Sequence, residues 1–163
     1  MKLSPVLQQA YNDQINLEYT SMYAYAQLSA YCSEHNLPGF SHWMRVQAAA
    51  EHQHVLKFTD FLLDRGGSLS LQPIAAPAAD FASPLAAFEV ALAHEQHVSA
   101  AIQDLYTKAE AERDYASYPL LQWFIAEQIE EESSVGLIVE RLRMAGENSS
   151  AILMLDRELA ARQ

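Results

Sequence analysis

Four long helical stripes constrain this chain more than any other feature, each apolar along its length and each interrupted near its middle by acids or amides. Alternating steps of three and four residues line up one face of an α-helix. Read this way, the first segment gives Leu7, Tyr11, Ile15, Glu18, Met22, Tyr25 and Cys32, and the second gives Phe40, Met44, Gln47, Glu51, His54, Phe58 and Phe61. The third gives Leu85, Phe88, Leu92, Glu95, Ser99, Ile102 and Tyr106, and the fourth gives Leu121, Phe124, Gln128, Glu131, Val135, Ile138 and Leu142. Helices of similar length packed side by side bring their middles to one height. The spacing therefore predicts a bundle in which Glu18, Glu51, His54, Glu95, Gln128 and Glu131 meet in one buried layer.

Punctuation sets the order of the elements. Helical periodicity runs from about Ser4 to His35, breaks at Leu37-Pro38-Gly39, and resumes to Arg65, where Gly66-Gly67 can supply a left-handed cap. Residues 68–83 carry Pro73 and Pro77 among small residues, and read as an extended connection long enough to run the length of a helix. A third helix is expected from Pro84 to about Arg113, and a fourth from Ser117 or Pro119 to Ala145 with Gly146 after it. A short last one should run from about Ala151 to Ala161, capped from 148–150 and docked on other copies of the chain. The expected fold is all-α, a single domain over residues 1–163: a four-helix bundle with one long crossover and a short fifth helix.

Composition narrows the partners. With 10 Lys plus Arg against 21 Asp plus Glu, the formal charge of −11 repels nucleic acid and attracts cations. A lone Cys32 forms no disulfide framework, no apolar run reaches the roughly 18 residues that span a bilayer, and the start carries no export signal. A cytoplasmic location is expected.

The buried layer then raises an electrostatic problem. Two carboxylates about 4 Å apart repel by roughly 4 kcal/mol at an effective dielectric of 20, and burial adds several kcal/mol per ion. A buried salt-bridge network would need cations, yet no Lys or Arg lies on the stripes and His54 is the one candidate. Two divalent metals would neutralise four acids and coordinate their oxygens. Glu51-x-x-His54 puts an oxygen and a nitrogen ligand on one helix face, a spacing typical of di-iron and di-manganese bundles. Oxygen-rich ligation with one imidazole and no thiolate suits iron or manganese better than structural zinc, and redox chemistry favours iron.

Over nearly its whole length the sequence resembles the bacterial non-haem ferritins. The resemblance rests on Asn16-Leu17-Glu18, Glu51-x-x-His54, His94-Glu95-Gln96, Leu121-Gln122-Trp123 and Glu127-Gln128-x-Glu130-Glu131. It implies a hollow shell of 24 subunits that oxidises Fe(II) with O2 or peroxide and stores ferric mineral inside. By the same resemblance, Glu18, Glu51 and His54 hold a first iron, while Glu51, Glu95 and Glu131 hold a second. Gln128 lies beside the pair, and Tyr25 is the tyrosine next to the centre. Glu127 and Glu130 resemble ligands of a third iron site, but Ala50 stands where a further glutamate would be, which leaves that site weakened or absent. His52 replaces the haem-ligating methionine of bacterioferritins and helix four lacks their second Glu-x-x-His, so no haem is expected.

Overall fold

The structure, a computed structural model, describes residues 2–162. Helices α1 (Pro5–Glu34), α2 (Pro38–Asp64), α3 (Pro84–Ala111) and α4 (Tyr118–Ala145) are long, α5 (Ser149–Leu159) is short, and a 3₁₀ turn at Tyr115–Ser117 leads into α4. The starts follow from local chemistry: Ser4 Oγ accepts from Leu7 N–H, Ser83 Oγ from Ala86 N–H, and Asn148 Oδ1 from the N–H groups of Ser150 and Ala151. That last cap sets the start of α5 two residues before the sequence expectation. Helix α3 stops two residues earlier than expected because Arg113 turns left-handed, at φ 54°. Gly66, at φ 68°, supplies the expected left-handed residue after α2.

The order of the helices is fixed by what the crossover touches. Leu3 N–H bonds Arg65 C=O, so the start of α1 meets the end of α2 and the two run antiparallel. The crossover leaves beside Gln8 and Asn12, whose side chains bond the backbone of Ser68 and Ser70. It arrives where Tyr31 O–H donates to Phe81 C=O. From residue 12 to 31 is about 28 Å of helix at 1.5 Å per residue. The connection thus spans the bundle lengthwise, and α3 starts at the same end as α2, parallel to it.

The apolar core falls into two clusters separated by the polar layer. One gathers Tyr25, Leu28, Cys32, Phe40, Met44, Phe88, Val135 and Leu142; the other gathers Leu7, Tyr11, Ile15, Phe58, Leu62, Ile102, Leu121 and Phe124. The predicted stripes miss the buried faces at several positions. Met22, Phe61, Leu85, Leu92 and Tyr106 are only half-buried, while Leu62, Ala91, Val98 and Leu105 are buried. Alternating three- and four-residue steps average 3.5 per turn, and a straight helix with 3.6 departs from them by about 20° per heptad.

Helix α5 docks on its own chain, against α2 and α4, rather than solely on other copies. Leu155 enters the core and Ile152 and Leu159 pack on it, while Leu153 and Met154 face outward. Buried Asp156 accepts the N–H of Phe40 at 2.8 Å, capping an α2 whose own N-cap residue, Leu37, has no side-chain acceptor. A Cβ on Gly39 would sit 1.7 Å from Asp156 C=O, so only glycine allows this approach. Among the described residues no helix is long and apolar enough to cross a membrane.

Candidate metal centre

All four long helices deliver their interruptions to the same depth of the bundle. Glu18, Tyr25, Glu51, His54, Glu95, Gln128 and Glu131 are all buried. Their atoms form two close groups: Glu18, Glu51 and His54 offer ligand atoms within 4.8 Å of one another, and so do His54, Glu127 and Glu131. Glu95 stands outside both groups. Of the outer acids, half-buried Glu127 joins the second group and exposed Glu130 joins neither.

The first group holds two buried atoms that make ion pairs but no hydrogen bonds. His54 Nδ1 lies 3.3 Å from Glu51 Oε2 and 3.7 Å from Glu18 Oε2. Both His54 Nδ1 and Glu18 Oε2 are buried without a hydrogen-bond partner. Such atoms are costly in a packed interior unless something binds them. A small divalent ion with bonds of about 2.1 Å holds neighbouring ligand atoms roughly 3.0–3.4 Å apart. The three side chains already approximate that spacing.

Elsewhere in the layer the carboxylates are held by side-chain donors. Gln14 Nε2 donates to Glu18 Oε1 at 2.6 Å, and Gln47 Nε2 donates to Glu131 Oε2 at 2.8 Å and Glu51 Oε1 at 3.1 Å. Glu95 receives the Tyr25 phenol on Oε1 and Gln128 Nε2 on Oε2 at 3.2 Å. Gln128 also reaches Glu95 C=O, which anchors the amide on α3.

Burial and the neighbouring charges make Glu18, Glu95 and Glu131 hold protons more tightly than a free glutamate. Burial, with the charge of Glu51 beside it, raises Glu18 to about 7 and Glu95 to about 8, and lifts Glu131 in the same direction. Burial pushes His54 down, but Glu18 and Glu51 outweigh it and carry the imidazole up to about 10. Burial, reinforced by Glu95, takes Tyr25 well above the ordinary phenol range, so its hydroxyl remains a donor. Divalent cations entering such a layer displace protons and satisfy the unpartnered atoms together.

Some of the supporting residues were not expected. Gln47 lay on the α2 stripe, but Gln14 lay off the α1 stripe and Arg162 beyond the last helix. The expectation that His54 is the one available cation is corrected by Arg162. Its guanidinium stacks 4.2 Å above the Trp43 ring and donates to Gln47 Oε1 at 2.6 Å. No periodicity could reveal it, because docking of α5 brings it there. Trp123 is 39% exposed, with its ring edge-on to His54 at 5.8 Å and Lys57 above it at 4.1 Å. His52 and His97 are exposed, and half-buried His94 meets Ser21 Oγ at 2.6 Å.

Comparison with known proteins agrees with this arrangement. Residues 8–145 match the family described as ferritin-like domain. The bacterial non-heme ferritins of Staphylococcus aureus and Staphylococcus haemolyticus are 36% and 37% identical to the chain, over 98% of its length and 96% of theirs. Among solved structures, the open pore ferritin from the hyperthermophilic archaeon Archaeoglobus fulgidus superposes with a TM-score of 0.97 at 45% identity, covering 99% of this chain and 98% of that one. A humanized archaeal ferritin superposes at 0.98 with 46% identity, over 99% and 98%.

Proposed function

The chain belongs to the ferritin family, and we propose from that membership and the buried acidic layer that it oxidises Fe(II) and stores the ferric product within a protein cage. The observation that carries this reading is the unpartnered pair of Glu18 Oε2 and His54 Nδ1, facing Glu51 in a layer of four buried glutamates. Iron is the substrate. Two Fe(II) give up one electron each; O2 takes both with two protons to become hydrogen peroxide, and peroxide in its place takes them to become two waters.

The residues divide this work. Glu18, Glu51 and His54 receive one Fe(II), and Glu51 is shared with a second held by Glu95 and Glu131, giving two irons per chain. Loading releases the protons that burial keeps on Glu18 and Glu95. Gln128 and Tyr25 orient Glu95 from opposite oxygens. The apolar clusters on either side, with Phe58 and Phe124 stacked at 3.8 Å, limit water around the layer. Glu127, close to Glu131, gives a ferric product a first step outward. Glu130 is exposed and Ala50 stands where a further glutamate would be, which leaves any third site weak. A shell of 24 copies and a cytoplasmic location accord with the family, and the surplus of acids gives nucleic acid no part.

The test is aerobic addition of Fe(II) with ultraviolet absorbance followed on the seconds scale. A fast rise is expected, and Glu51→Ala and His54→Ala should each abolish it. An unchanged rise in either variant removes the site assigned here. Particle mass tests the shell, since an active monomer or dimer would overturn it.

A further inference from the structure

The chain's last described residues reach back to the centre. Trp43 and His42 on α2 hold the tail: the Trp43 ring and carbonyl receive the Arg162 guanidinium, the carbonyl at 3.5 Å, and His42 Nε2 meets Arg162 C=O at 2.8 Å. The other terminal nitrogen, Nη2, points inward to Gln47 Oε1 at 2.6 Å.

Arginine carries only donors, so its partner on Gln47 must be the amide oxygen. That leaves the amide nitrogen facing the layer, where its two N–H bonds meet Glu131 Oε2 and Glu51 Oε1. Gln47 is fully buried and cannot turn to solvent without vacating this position. We propose that Arg162 is a positioning residue for the second metal site, holding Gln47 in the orientation that aims Glu51 and Glu131 together. The inference rests on the reading of the layer as a two-metal centre.

Charge and positioning predict opposite signs. A guanidinium acting only through space repels divalent metal, and its removal would tighten binding at both sites. A guanidinium acting through Gln47 helps most the site that uses both Glu51 and Glu131, and its removal weakens that site more than the one that uses Glu51 alone of the pair. Loss of an outer hydrogen-bond partner of a metal ligand typically costs about 10–100-fold in affinity.

The experiment is calorimetric titration of the intact assembled protein with Co(II), monitored in parallel by the visible spectrum of the bound ion. For Arg162→Gln the second binding step should weaken about tenfold, with its band shifted and the first step weakened clearly less. Arg162→Lys should recover part of the loss, and Arg162→Gln should add nothing in a Gln47→Leu background. Tighter binding, no change, or equal weakening of both steps in Arg162→Gln would each overturn the proposal, even if Gln47→Leu fails to assemble. Wild-type protein that binds fewer than two Co(II) per chain would instead bring down the reading of the centre itself.

Discussion

At Glu18 and His54 the buried layer exposes two atoms to each other with no hydrogen-bond partner, whereas at Glu95 and Glu131 the neighbouring amides and a phenol already occupy three carboxylate oxygens. The first half is built by one turn of α2 and the facing turn of α1, and leaves Glu18 Oε2 and His54 Nδ1 without hydrogen-bond partners. The second half draws on α3 and α4, and keeps its oxygens engaged until something displaces the donors. Among the acids proton affinity follows the same division, with Glu95 raised to about 8 and Glu18 to about 7, while the His54 imidazole of the first half is carried up to about 10. An incoming metal therefore has fewer hydrogen-bond donors to displace in the first half, where the proton it must replace is the one on His54. Loading should proceed from the Glu18 side to the Glu95 side.

The largest consequence concerns both halves together. An acid that holds its proton more tightly in the folded chain than in the unfolded one destabilises the fold as pH rises between the two values. For Glu18 and Glu95 that window opens at the ordinary 4.5 and closes at about 7 and about 8. His54 acts in the same direction: its contribution is complete below 6.5 and lost as pH climbs to about 10. Each unit of displacement corresponds to about 1.4 kcal/mol, so metal-free protein should lose several kcal/mol between pH 5 and 8.5. Thermal unfolding of chelator-treated protein should show Tm falling across this range, and added Co(II) should flatten the slope. A Tm that rises with pH would mean that neither half holds protons as described.

Substitution can separate the halves. Glu18→Ala should weaken the first Co(II) step by more than about 100-fold, beyond what loss of an outer partner costs, and leave Glu95 and Glu131 able to bind. Glu131→Ala should spare the first step and remove the second. Calorimetric titration reads both. If Glu131→Ala damages the first step as much as Glu18→Ala does, the division between open and engaged halves is wrong.

How far this division could be read from sequence depends on the kind of contact. Glu18, Glu51, His54, Glu95, Gln128 and Glu131 were legible because helical periodicity carries a residue's depth and face, and depth is what gathers them. The connection at 68–83 was legible because its prolines and small residues cannot continue a helix. Gln14 was not, since it approaches Glu18 one turn away along the same helix, off the predicted stripe. Arg162 was not either, because its position depends on Asp156 capping α2 and Gly39 admitting α5, neither of which leaves a periodic mark. The shift from Phe61 to Leu62 reflects the small mismatch between a 3.5 and a 3.6 repeat, whereas in α3 Ala91, Val98 and Leu105 each lie one residue before the predicted position.

The finest test of the comparison is Tyr25→Phe, which removes a single donor from the engaged half and leaves the ring in place. Tyr25 is buried, packed near Trp43 with ring centroids 6.4 Å apart, and its hydroxyl donates to Glu95 Oε1. Two effects of losing that bond oppose each other. An oxygen freed from the phenol is easier for a metal to reach, yet the phenol also stabilises the charged carboxylate, so Glu95 without it holds its proton more firmly. A hydrogen bond to a charged group contributes about 1.5–3 kcal/mol, which outweighs the gain in access while protons compete and fades once they do not. The second Co(II) step should therefore weaken about tenfold at pH 6.5 and much less at pH 8.5, with the first step unchanged at both. Equal weakening at the two pH values would make Tyr25 a purely steric guide for Glu95, and no weakening at either would remove it from the centre.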